Sequence, residues 1–129
     1  MAYVLIIDDD EDFSDAVAIV LRSAGHEVAE ELTIVGGRES VAARRPDVLI
    51  LDVMFPGDSA AGLKLAQHLR RDFPDLPIVL LTAVNQEFPL GLSKRDIDDV
   101  HMPITDFLEK PVDLDTLSRR VSDLAERTR

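Results

Sequence analysis

Short, unbroken apolar runs alternate with amphipathic stretches along this chain. Tyr3 to Ile7 is apolar at every position, which predicts a strand buried on both faces. From Glu11 to Ala24, Phe13, Val17, Val20 and Leu21 recur at helical spacing, and Gly25 follows as a C-terminal stop. Residues 27–31 (Glu-Val-Ala-Glu-Glu) hold apolar side chains only at Val28 and Ala29; this is the faintest strand, and an edge position tolerates it. Gly36-Gly37 is expected to open a short helix through about Arg44, ended by Pro46. Val48 to Leu51 is a further buried strand, and Gly57-Asp58-Ser59 a loop. Leu63, Leu65, Ala66 and Leu69 form a helical face closed by Phe73-Pro74, and Ile78 to Leu81 is the next strand. Between Asn85 and Pro103, Pro89 and Gly91 break any helix, so only a short one over Ser93 to Val100 is expected. Ile104 to Leu108 reads as the fifth strand, stopped at Pro111. Asp113 then caps a last helix whose single apolar stripe is Leu114, Leu117, Val121 and Leu124.

Strand and helix therefore alternate from end to end. Continuous Val/Ile/Leu strands require a parallel sheet covered on both faces, and right-handed crossovers restrict it to a doubly wound α/β sheet. Ligands of such sheets bind at the carboxyl ends of the strands, where strand order reverses. Those ends carry Asp8, Asp9, Asp52, Thr82 and Lys110.

Composition narrows the reading. The 129 residues are the size of one ordinary domain, expected to span 1–129, and 46% hydrophobic content is enough for a core. The net charge of −11, from 14 Lys+Arg against 25 Asp+Glu, argues against direct nucleic-acid binding or an anionic membrane surface. Without cysteine there is no disulfide framework or thiolate metal site. The apolar runs fall short of the ~18 residues that span a bilayer. Met1-Ala2-Tyr3 lacks the basic region of a signal peptide, so a cytoplasmic location is expected.

The acidic run Asp8-Asp9-Asp10 is the main chemical signal. Clustered carboxylates repel one another unless a cation or proton offsets them. Alone, the run would as readily be a helix cap; with Asp52 and Lys110 at neighbouring strand ends it reads as a site. Oxygen ligands at a wet rim select a hard cation, magnesium first. Lys110 supplies an ammonium for a carboxylate or anionic ligand, and Thr82 a hydroxyl. Together they could handle one phosphoryl group, with a carboxylate oxygen as nucleophile.

The chain resembles the receiver domain of two-component response regulators, of the chemotaxis-regulator type, over about residues 3–126. The matching text is Val4-Leu5-Ile6-Ile7-Asp8-Asp9-Asp10, Arg45-Pro46-Asp47-Val48-Leu49-Ile50-Leu51-Asp52-Val53-Met54-Phe55-Pro56, Pro77-Ile78-Val79-Leu80-Leu81-Thr82-Ala83 and Asp106-Phe107-Leu108-Glu109-Lys110-Pro111. The resemblance implies a flavodoxin-like (βα)5 sheet of strand order 2-1-3-4-5. It implies that Asp52 accepts phosphate from a sensor histidine kinase or phosphotransfer protein. Asp8, Asp9 and Asp52, with the Met54 backbone carbonyl, would hold magnesium or manganese. Lys110 and Thr82 would contact the phosphoryl group, Thr82 and Phe107 would act as the switch, and Lys110–Pro111 matches a peptide usually cis. A signalling module rather than a metabolic enzyme is implied, speaking to a downstream effector or output domain through the fourth and fifth strand-helix units; a homodimer is compatible with this.

The match departs after Pro56, where Gly57 to Gly62 is longer than the family's usual turn and Ala61 replaces an expected acid. The Thr82 to Lys110 interval is also long. These departures motivate a second reading, a receiver-like interaction module whose output is independent of phosphorylation. An aspartyl phosphatase fits poorly, because Met54 stands where a second acid belongs. A flavin site fits poorly, because the first strand leads into carboxylates.

Overall fold

The computed structural model describes residues 2–52, 61–83 and 106–127. Its elements are β1 (Tyr3–Ile7), α1 (Glu11–Ser23), β2 (Glu27–Glu31), α2 (Ile34–Ala43), β3 (Val48–Asp52), α3 (Ala61–Asp72), β4 (Ile78–Ala83), β5 (Asp106–Lys110) and a C-terminal helix (Leu114–Arg127). The strands form one parallel sheet in the order β2-β1-β3-β4-β5, the expected doubly wound arrangement with the faint strand β2 at an edge. The expected helix over Ser93 to Val100 and the loop after Pro56 lie outside the described residues.

Alternation along the strands divides the core in two. Leu5, Ile7, Leu49, Leu51, Ile78 and Leu80 face α2 and α3, packing on Val41, Leu63, Leu65, Ala66 and Leu69. Val4, Ile6, Val48, Ile50, Val79 and Leu81 face α1 and the C-terminal helix, packing on Val17, Ala18, Leu21, Leu117, Val121 and Leu124. Each of those strand residues is fully buried, and burying such a side chain stabilises by about 1.5–3 kcal/mol. This explains why the central strands read as continuous apolar runs: neither of their sides meets water.

Three boundaries differ from expectation; one is that of β4, which runs past Leu81 to Ala83. Helix α2 does not open at Gly36-Gly37. Thr33 caps it earlier, its hydroxyl oxygen accepting the Gly36 N–H at 2.9 Å, and the glycines lie inside the helix. Gly37 is there for packing: a Cβ on it would stand 2.5 Å from Ile7 Cδ1, so the helix approaches β1 only because that carbon is missing. The fifth strand, expected to end at Leu108, continues to Lys110, because Thr82 and Ala83 on β4 pair with Glu109 and Lys110. That extension carries Lys110 to the rim. Residues 104 and 105 lie outside the described residues.

Other signals hold. Gly25 ends the first helical unit with φ of 95°, a conformation other residues rarely adopt. Asp113 Oδ2 accepts the Thr116 N–H at 3.0 Å at the start of the C-terminal helix. Arg120 on that helix pairs with Asp106 on β5. His26 has a packing role: its Nδ1 accepts the Ala2 N–H at 3.2 Å, and its Nε2 meets the Ser122 hydroxyl at 3.0 Å.

Between β2 and α1, the buried Ser14 hydroxyl donates to Glu30 Oε1 at 2.7 Å. Burial pushes the Glu30 carboxyl above its ordinary range, and the neighbouring Asp15 carboxylate adds to the rise. A carboxyl raised by folding favours the fold when protonated and disfavours it once the pH exceeds its folded value. Glu30→Gln should therefore raise the melting temperature at pH 7 and change it little near pH 4; equal shifts at both would contradict this. Gly37→Ala should lower stability by about 1–3 kcal/mol through the forced contact with Ile7, read from the denaturant midpoint.

Candidate functional site

The acidic run builds its own turn. The Asp8 N–H donates to the Glu31 carbonyl at 3.0 Å, extending the β1–β2 ladder one bond past Ile7. Asp8 Oδ1 then accepts the Asp10 N–H at 2.9 Å. Asp10 in turn caps α1, its Oδ1 accepting the Phe13 N–H at 3.1 Å. Each short carboxylate thus fixes the backbone two or three residues ahead of it, a habit of Asp in turns and at helix starts. Glu11 and Asp12 follow in the first turn of α1, where the helix dipole favours negative charge.

This turn leaves Asp8 buried and Asp9 exposed. Asp52 closes β3, pairs in register with Leu81 and is also buried. One carboxylate oxygen from each of Asp8, Asp9 and Asp52 lies within 4.8 Å of the others, so residues distant in sequence meet at one spot on the carboxyl rim. Hard oxygen donors at this spacing, with one member open to water, fit a hydrated divalent cation. An acidic cluster alone would be ambiguous; two of its three members being buried makes the need for positive charge strong.

Part of that charge comes from Lys110. Its Nζ donates to Asp8 Oδ2 at 2.8 Å, and both side chains are largely shielded from water. The same Nζ stands 4.3 Å from the centre of the Phe13 ring. The Lys110–Pro111 peptide is cis, as the resemblance implies. Thr82 and Phe107 are placed through their backbones: Thr82 pairs with Glu109, and Leu80 with Phe107. Their side chains, and Met54 altogether, lie outside what the structure describes.

Sequence reasoning brought together Asp8, Asp9, Asp52 and Lys110, and the structure gathers those residues. Phe13, which its spacing places in the core stripe of α1, does pack against that core, and its further contact with Lys110 is one that spacing does not record. The available signal was its place one helical turn beyond the acidic run, which points an aromatic back toward the strand ends.

The chain matches the family profile described as "Response regulator receiver domain" over residues 4–122. It is 35% identical to the DNA-binding dual master transcriptional regulator RpaA of Synechocystis over 99% of this chain and 51% of that protein. It is 32% identical to the phosphate regulon transcriptional regulatory protein PhoB of Pseudomonas aeruginosa over 97% of this chain and 52% of that one. The chain thus spans about half the length of these curated relatives. Among solved structures, the receiver domain of a Francisella response regulator superposes with a TM-score of 0.84 at 23% identity, covering 100% of each chain, a likeness of fold. The receiver domain of NtrX from Brucella abortus superposes at 0.81 with 25% identity, covering 95% of this chain and 98% of that one. Sheet order, rim and sequence agree, and the chain belongs to the response regulator receiver domains of two-component signalling.

Proposed function

We propose that Asp52 is the phosphoacceptor of this receiver domain. The observation that carries the reading is the meeting of the Asp8, Asp9 and Asp52 carboxylates within 4.8 Å beside the Lys110 ammonium. An Asp52 oxygen attacks phosphorus of a phosphohistidine on a partner kinase or phosphotransfer protein. The O–P bond forms as the N–P bond breaks, and the imidazole nitrogen leaves with the electron pair. Water later hydrolyses the acyl phosphate and restores the carboxylate.

Asp8, Asp9 and Asp52, with the Met54 carbonyl, are the residues for a magnesium ion, and manganese suits the same donors. Bound there, the cation offsets charge on the transferring phosphoryl oxygens. Lys110 faces the phosphoryl group from the β5 side as a second positive charge. Thr82 and Phe107 are the switch pair, biasing two conformations of the surface around β5 and the C-terminal helix. That surface meets an effector or output domain, as the regulatory names of the relatives suit, and the location is cytoplasmic. No helix among the described residues is long and apolar enough to cross a membrane.

Millimolar magnesium should raise the melting temperature of the protein. Asp9→Asn, which removes one of three mutually repelling charges, should raise the cation-free value by about 2–4 °C and shrink the magnesium response; no response in either protein would remove the metal from the reading. With magnesium and acetyl phosphate, mass spectrometry should find one acid-stable, base-labile phosphate per chain, absent in Asp52→Asn. Persistence of the adduct in that variant would overturn the assignment.

A further inference from the structure

Among the described residues, two neighbours of the Lys110 ammonium differ in kind. Asp8 offers a charge at 2.8 Å, and Phe13 offers the face of a ring at 4.3 Å. We infer that Phe13 is a positioning residue for Lys110, holding the ammonium at the rim by a cation–π contact while the lysine exchanges one anionic partner for another. The inference rests on the phosphoacceptor reading above, in which Lys110 serves the phosphoryl group.

The argument is one of competition. A divalent cation on Asp8 and the Lys110 ammonium both draw on the same carboxylate, so an occupied metal site weakens the hold of Asp8 on the lysine. A flexible four-carbon stem released from its ion pair would disperse into solvent, its charge lost to the site. The ring prevents this. It attracts the ammonium through its quadrupole, carries no charge, and needs no cation of its own. It binds the lysine about equally well before and after phosphate arrives, so it does not oppose the exchange.

Phe13 is suited to the task by its anchoring. Its N–H is fixed by the Asp10 side chain at 3.1 Å, and its ring packs beside the core under α1. The same turn that aims Asp8 at Lys110 therefore sets the ring beneath it. The lysine is only 20% exposed, so the contact is partly shielded from water, where such attraction is stronger than at an open surface.

Fluorinated phenylalanines placed at position 13 by site-specific incorporation keep the shape of the ring and progressively remove its negative face. The rate of Asp52 phosphorylation by acetyl phosphate in saturating magnesium should fall stepwise with fluorine number, by roughly two- to fivefold overall, while the melting temperature stays put. Phe13→Leu should show the same loss and Phe13→Tyr should retain the rate. Independently of phosphorylation, the Lys110 Hε proton resonances should lie upfield in the wild type and move to ordinary positions in Phe13→Leu. A rate indifferent to fluorination, or Lys110 resonances that Phe13→Leu does not move, would overturn the role of Phe13. An adduct surviving Asp52→Asn would instead overturn the phosphoacceptor reading, so the two failures are distinguishable.

Discussion

A fully buried carboxylate is the constraint on which the rim is organised. Taking an ion the size of the Asp8 side chain out of water costs several kcal/mol even after relaxation, and Asp8 has no exposed surface. The protein meets that cost with two donors of different origin and a fixed backbone. The Asp10 amide bonds one oxygen, the Lys110 ammonium bonds the other, and the parallel ladder fixes the backbone between them. Remove the strand order 2-1-3-4-5 and Lys110, 102 residues away in sequence, never reaches its partner.

The second and third carboxylates make the arrangement tense. Asp52 is nearly as buried as Asp8, and Asp9 lies within the same few ångströms. Three carboxylates gathered this closely attract hard cations and disfavour bare anions. A phosphoryl donor is anionic. The order of events follows from charge: positive charge first, phosphoryl group second.

Much of this was legible in the sequence because period and burial reinforce each other in a parallel sheet. Val4 to Ile7 and Val48 to Leu51 could be nothing but strands covered on two sides, and the acids that follow them had to share an edge. Boundaries set by tertiary contact were less legible. Gly36-Gly37 looks like a helix start by local chemistry, yet Thr33 supplies the cap and Gly37 answers to Ile7 on another element. The end of β5 depends on pairing with Thr82 and Ala83, which no local pattern at Leu108 records. Phe13 was hidden for the opposite reason: its spacing with Val17 fits a core stripe so well that its second contact, with Lys110, leaves no trace in periodicity.

The outer strands carry a different lesson. A sheet edge exposes unpaired amides and carbonyls to any passing strand. Here β2 bears Glu27, Glu30 and Glu31, and β5, at the other edge, bears Asp106, Glu109 and Lys110. The interior strands β1 and β3 are uncharged apart from the terminal Asp52, which belongs to the site. The same scarcity of apolar residues that made β2 faint to read thus limits growth of the sheet: a neighbouring copy brought edge to edge would set its carboxylates against these. A protein that gathers its charge at one rim thus also places charge at its margins, where it works against pairing with a further strand.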